Sequence, residues 1–120
     1  MLNLNSIMIG SSQPKVLAEL YTKIFDKKPD SEEGGWYGWQ VGSCYLSIGE
    51  HSEVHDSSKE PQRVMFCLET DNVKEEFERI KKYGATVIKE PYDMEGYEGY
   101  YIATFADPDG NYFQLMSKWD

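Results

Sequence analysis

The sequence predicts an α+β fold in which one order of elements, β-α-β-β with room for a further strand, is given twice. Three observations predict it. Apolar residues recur at helical spacing in two places, each preceded by a short alternating segment and followed by others. No linker rich in proline or glycine separates the two halves into independent domains. The tail, Asp107-Pro108-Asp109-Gly110-Asn111, reads as a tight turn between two strands. Proline presets φ near about −65°, and glycine takes positive φ without steric cost.

The first unit begins with a strand around residues 3–10, with Ile7 and Ile9 on one face. A helix runs from Pro14 to about Asp26, since proline favours the first helical position. Leu17, Leu20, Tyr21, Ile24 and Phe25 form its apolar stripe, and Pro29 closes it. Short strands around 35–41 and 43–49 follow, hinged at Gly42-Ser43, with Cys44 beside Leu46 and Ile48 on the core side. The polar segment 51–62 connects to the second unit. There a strand at about 63–70 carries Phe66 and Leu68 on one face. Asn72 and Glu75 form a capping box for a helix from Val73 to Tyr83, whose buried stripe is Val73, Phe77 and Ile80. Glu75 with Arg79 and Glu78 with Lys82 are spaced for ion pairs on its wet face. Strands at 85–89, 99–106 and 111–117 finish the unit. In the last, Tyr112, Gln114 and Met116 point one way, and Phe113 and Leu115 point into a core.

Module one therefore covers about 1–50, the loop about 51–62 and module two about 63–120. A sheet covered by a helix on one face needs something on the other. Two such units can pair side by side and curve a mixed sheet around a shared cavity.

A chain of 120 residues can bury a core, and its 40% hydrophobic and 14% aromatic content excludes a disordered class. Its net charge of −9 argues against nucleic acid and anionic membrane surfaces, and mildly favours cationic ligands. No apolar run is long enough to cross a membrane, and the N-terminal residues carry no export pattern. Cys44 and Cys67 lie outside any C-x-x-C, as expected for reduced thiols in a cytoplasmic protein.

The segments Ser12-Gln13-Pro14 through Leu20-Tyr21, Glu69-Thr70-Asp71-Asn72-Val73, Tyr83-Gly84-Ala85 and Asp107-Pro108-Asp109-Gly110-Asn111 resemble the vicinal oxygen chelate superfamily. That superfamily includes glyoxalase I, extradiol dioxygenases, and fosfomycin- and bleomycin-resistance proteins. The resemblance covers nearly the whole chain. It implies paired βαβββ modules and a homodimer. It also implies where a metal would sit: on the first and last strands of each module, held by histidine, glutamate or glutamine. Carried over one at a time, those positions fall on Ser6, on Ser47 (or Leu46 if the hairpin register differs by one), on Met65 and on Gln114. This set holds no anion and no imidazole. A neutral amide and two hydroxyls do not repay the dehydration of a divalent ion. No metal and no cofactor are therefore expected.

His51 and His55 stand four apart beside carboxylates, a spacing that on a helix can grip a metal, but the segment lacks an apolar stripe and reads as a solvated loop. Cys67 faces inward without a partner to lower its pKa and reads as a small buried hydrophobe. Glu50 and Glu69 read as exposed strand-end carboxylates. The segment Asp93–Gly99 reads as a surface loop, with a mobile lid as the alternative. The aromatic residues Trp36, Tyr37, Trp39 and Tyr45 in one module and Tyr92, Tyr97, Tyr100, Tyr101 and Tyr112 in the other suit either a ligand site or a dimer interface.

The sequence thus predicts a metal-independent protein that sequesters a small organic molecule. Trp39, Tyr45 and Tyr112 stack on it. Gln114 orients it. Met8, Met65 and Met116 make an adaptable wall, and Ser6, Ser47 and Cys67 complete the lining. Two alternatives stay open. One is a glyoxalase-like lyase or isomerase, or a dioxygenase, with an atypical site. The other is a protein whose pocket is vestigial and whose role lies in a partner surface.

Overall fold

The computed structural model describes residues 1–118. Their packing forms two compact units, Met1–Asp56 and the remainder from Ser57. In the first, β1 (Ser6–Ser11), α1 (Pro14–Phe25), β2 (Ser31–Glu33), β3 (Trp36–Val41) and β4 (Cys44–Glu50) succeed one another. In the second, the order is β5 (Phe66–Thr70), α2 (Val73–Lys81), β6 (Thr86–Met94), β7 (Tyr97–Ala106) and β8 (Tyr112–Ser117). Each unit is βαβββ. The sheets are ordered β1-β4-β3-β2 and β5-β8-β7-β6. In both, the first strand runs parallel to the last and the other pairs are antiparallel. The strand β2 is an addition to the expected elements. It is three polar residues long, too short to show alternation.

Each helix covers one face of its own sheet. The α1 stripe buries Leu17, Ala18, Leu20, Tyr21 and Ile24. The helix ends one residue earlier than its periodicity suggests, where Asp26 turns left-handed (φ 54°) and its N–H donates to the Lys23 carbonyl at 3.3 Å. In α2, Asn72 Oδ1 accepts from the Glu75 N–H at 3.1 Å, and Asn72 Nδ2 donates to Glu75 Oε2 at 3.1 Å, so the cap forms. That contact takes Glu75 away from Arg79, which pairs with Glu76 instead, Nε to Oε2 at 2.7 Å. Beneath α2, Phe77 stacks on Phe105 at 5.0 Å between centroids, Phe105 on Phe113 at 5.6 Å, and Phe113 on Phe66 at 5.6 Å. The helix end predicted at Tyr83 falls at Lys81.

The segment Asp93–Gly99 is not an irregular loop. It belongs to a β hairpin in which Met94 pairs with Tyr97 across Glu95-Gly96. Its polar, glycine-hinged composition hid the strands, because hairpins on a sheet edge carry such residues as well as loops do.

One buried carboxylate organises the turn before β8. Asp107, 4% exposed, accepts from the Asp109 N–H at 2.9 Å and the Asn111 N–H at 3.0 Å through Oδ1. Its Oδ2 accepts from Asn111 Nδ2 at 3.0 Å. Gly110, at φ 80°, donates to the Asp107 carbonyl at 2.9 Å. The first residue of the turn thus satisfies the donors of the third and fifth, an Asx-type arrangement. Hydrogen bonds to a charged group are among the stronger ones, so Asp107→Ala is expected to cost about 2–4 kcal/mol of stability in urea unfolding. A loss under about half a kcal/mol would show that the turn holds without it.

Candidate functional site

With one face of each sheet under its helix, the other face is where polar side chains gather. In the second unit, register decides which ones meet. Cys67 on β5 lies opposite Gln114 on β8, and Gln114 lies opposite Thr104 on β7. Their side chains join across the three strands. The Cys67 thiol donates to Gln114 Oε1 at 3.5 Å, and Gln114 Nε2 donates to Thr104 Oγ1 at 3.2 Å. Thr104 is buried, Gln114 half-buried and Cys67 exposed. Neighbouring side chains partly desolvate the Cys67 thiol and push it above its ordinary pKa, which keeps it protonated and a donor. One strand step along, Tyr100 donates through its hydroxyl to Met116 Sδ at 3.8 Å. Its pKa is raised as well, by burial first and then by the negative forms of Cys67 and Glu69 nearby.

The amide of Gln114 is therefore half used. An amide oxygen has two lone pairs and an amide nitrogen two N–H groups. Cys67 takes one lone pair and Thr104 one N–H, leaving one acceptor site and one donor.

In the first unit the open face is built from alternate residues of the sheet. Ser6 pairs with Tyr45, Met8 with Ser47, and Ser47 with Gly38. Leu46, 5% exposed, belongs to the helix side, which settles the hairpin register in favour of Ser47. Met8 is 61% exposed, and Tyr45 and Ser47 are half-buried.

The structure redistributes several expected site residues. Trp39 is fully buried, packs edge-on against Phe25 at 5.6 Å and donates Nε1–H to the Lys27 carbonyl at 3.2 Å. It is part of the α1 core and leaves the ligand set, because β3 alternation puts Tyr37 and Trp39 on the helix side and Trp36 and Gly38 on the other. Cys67 is exposed and hydrogen-bonded, not a buried hydrophobe, since β5 is an edge strand and Phe66 and Leu68 supply its buried face. Met65 precedes β5 and is half-buried. Tyr112, Gln114 and Met116 share the open face as their alternation requires, while Phe113 and Leu115 are 0% and 3% exposed. Cys44 is half-buried, and its thiol reaches only the Tyr45 carbonyl, at 3.8 Å. His51 is exposed and accepts from the Glu53 N–H at 3.1 Å through Nδ1, a turn contact. Thr104 was missed as a site residue, and Tyr100 stood only among the aromatic residues open to a ligand site or an interface. Their β7 alternation is visible in the sequence, but which of them meets Gln114 depends on register.

A shallow groove lined by Lys74, Phe77, Glu78, Glu90 and Pro91 lies between α2 and β6, on the helix side of that sheet.

The positions that resemble metal ligands do not fit a divalent ion. Gln114 brings a neutral amide oxygen already accepting from Cys67, Ser6 and Ser47 bring hydroxyls, and Met65 brings a thioether, so the set holds no anion and no imidazole. Among the described residues no three histidine, cysteine, aspartate or glutamate side chains gather to hold a metal.

The family model for the glyoxalase/bleomycin resistance protein/dioxygenase superfamily matches residues 3–115, and the chain belongs to that superfamily. Solved structures share its fold. A glyoxalase-related enzyme from Fulvimarina pelagi superposes with a TM-score of 0.80 at 16% identity, covering 98% of this chain and 89% of that one. A glyoxalase/bleomycin resistance protein/dioxygenase family enzyme from Burkholderia phytofirmans PsJN gives 0.79 at 18% identity, covering 97% and 98%. A hypothetical protein from S. aureus gives 0.75 at 22% identity, covering 98% and 94%. Comparison with curated proteins returns no match.

A thiol whose pKa is raised holds little thiolate near neutrality. In a Cys44→Ser variant, iodoacetamide labelling of Cys67 should be slow at pH 8, with a rate midpoint above 9.0, the ordinary thiol value. A midpoint below that value would mean an activated thiolate.

Proposed function

We propose that this protein binds a small organic molecule without a metal ion and sequesters it, as a cytoplasmic homodimer of the bleomycin-resistance kind. The observation that carries the reading is the Cys67–Gln114–Thr104 relay. A thiol and a hydroxyl fix the amide from both sides, so it meets a guest already oriented, and little side-chain freedom is lost on binding. Its remaining acceptor and donor match a guest that offers the reverse pair, as a lactam or amide edge does. Met116 and Tyr112 flank it on the same strand face and supply adaptable apolar and aromatic contact.

Turnover of the kind the superfamily's lyases and dioxygenases perform draws on Lewis-acid or oxygen chemistry at a metal. The donors here are neutral, so the arrangement supports holding over transformation. Both cysteines are free thiols, in keeping with a reducing compartment.

The test uses metal-free bleomycin and 2-quinolone as probes, with EDTA present throughout. At least one is expected to raise the melting temperature, and Gln114→Leu should weaken that probe about tenfold, the order of one lost pair of hydrogen bonds. Gln114→Glu should not confer submicromolar zinc affinity, because the other three positions still lack charged ligands. Stabilisation that needs added divalent metal, or tight zinc binding by the glutamate variant, would overturn the reading.

A further inference from the structure

The Gln114 amide stands between two groups that can each exchange roles. A hydroxyl both donates and accepts, and a thiol does the same more weakly. The Cys67 thiol donates to Oε1 at 3.5 Å, and Nε2 donates to Thr104 Oγ1 at 3.2 Å. The Thr104 hydroxyl hydrogen then has no acceptor among the described residues, although Thr104 is only 6% exposed. Turned by half a revolution about its terminal bond, the amide presents Oε1 to that hydroxyl and Nε2 to the sulfur.

The two orientations are close in energy. Each holds two hydrogen bonds, one to sulfur and one to oxygen. The first uses the thiol as donor, and the second gives the Thr104 hydrogen its acceptor. They differ by less than one net hydrogen bond, a factor of about ten in population. No charged partner breaks the balance: both contacts of the amide are neutral, and the nearest carboxylate along β5, Glu69, pairs with Met116 instead. The plane of the amide stays in place through the exchange, so the side chain keeps its position while its polarity inverts.

We propose that the Gln114 amide is a reversible reader, turning end for end between Cys67 and Thr104 so that the site accepts lactam or amide edges of either donor–acceptor order. The proposal deepens the metal-independent binding reading and rests on it. The guest selects the orientation, at a cost no greater than that factor of about ten. Reversal matters because the surroundings of the amide are unlike at its two ends. Cys67 is exposed on the edge strand β5, and Thr104 is buried on β7. The bulk of a guest is admitted on one side, and a fixed amide would take only one order of donor and acceptor.

The probes are 2-quinolone, whose fused ring adjoins the N–H, and isoquinolin-1(2H)-one, whose fused ring adjoins the carbonyl, titrated calorimetrically in EDTA. The wild type is expected to bind both, within about tenfold of each other. Cys67→Ser keeps a group that works both ways and should preserve that ratio. Cys67→Asp sets a carboxylate that only accepts at this exposed position, which holds Nε2 toward it and Oε1 toward Thr104. The ratio should then widen to about a hundredfold, since the mismatched lactam meets donor with donor and acceptor with acceptor. Without a guest, 15N-edited NOE spectra should connect the Nε2 protons to the Cys67 and Thr104 side chains with comparable strength in the wild type, and to position 67 alone in Cys67→Asp. Should that variant fail to fold, the wild-type NOE comparison decides. Wild-type binding of one lactam only, or of neither while bleomycin binds, would overturn the reversal and leave metal-free binding standing. So would NOEs confined to Thr104 in the wild type, or an unwidened ratio in Cys67→Asp. Failure of both lactams and bleomycin would remove both.

Discussion

The carboxylate of Asp107 is the constraint on which the second unit depends. It gathers three donors of its own turn, and the turn sets where β8 begins. Side chains alternate along a strand, so a slip of one residue exchanges its faces. With the register as it stands, Phe113 and Leu115 enter the aromatic core under α2 and Gln114 meets both Cys67 and Thr104. Slipped by one, the amide would be driven into that core and a phenyl ring would take its place among polar neighbours. The turn, the packing and the polar relay are thus one choice made at one residue.

Much of this was legible in the sequence because local chemistry spoke for it. Proline at the start of α1, the Asn72–Glu75 cap of α2 and the alternation of β8 each follow from short-range rules, and the structure realises each of them. What was not legible depends on pairing over long separations. Trp39 reads as a site aromatic until β3 is placed beside β4, when it turns toward Phe25 and becomes core. Cys67 reads as buried because no partner that would activate its thiol is visible, yet as an edge-strand residue it opens outward. Thr104 gains its importance only from standing opposite a residue ten positions later. The hairpin through Glu95-Gly96 was read as a loop because acidic and glycine residues suit both states.

The repeat gives each unit the same physical problem and two different solutions. A helix closes one face of each sheet. On the open face, the first unit sets the Trp36 indole over Gly49 and the hydroxyl end of Tyr45 over Gly38, and the second uses a neutral hydrogen-bonded chain backed by Tyr100 and Met116. Both surfaces suit organic molecules. Neither concentrates the negative charge that a divalent cation requires in exchange for its water. Membership of a superfamily that includes metal enzymes fixes the fold; the side chains on the open faces decide the chemistry.

The side-chain amide of Gln114 tests the central claim most directly. In 15N–1H spectra its two N–H resonances report both ends of the relay, and zinc can be titrated against them. The account predicts no change through a several-fold excess of zinc, and distinct shifts when a bound organic probe engages the free donor and acceptor. Zinc-dependent shifts at stoichiometric metal, with the probe inert, would contradict it.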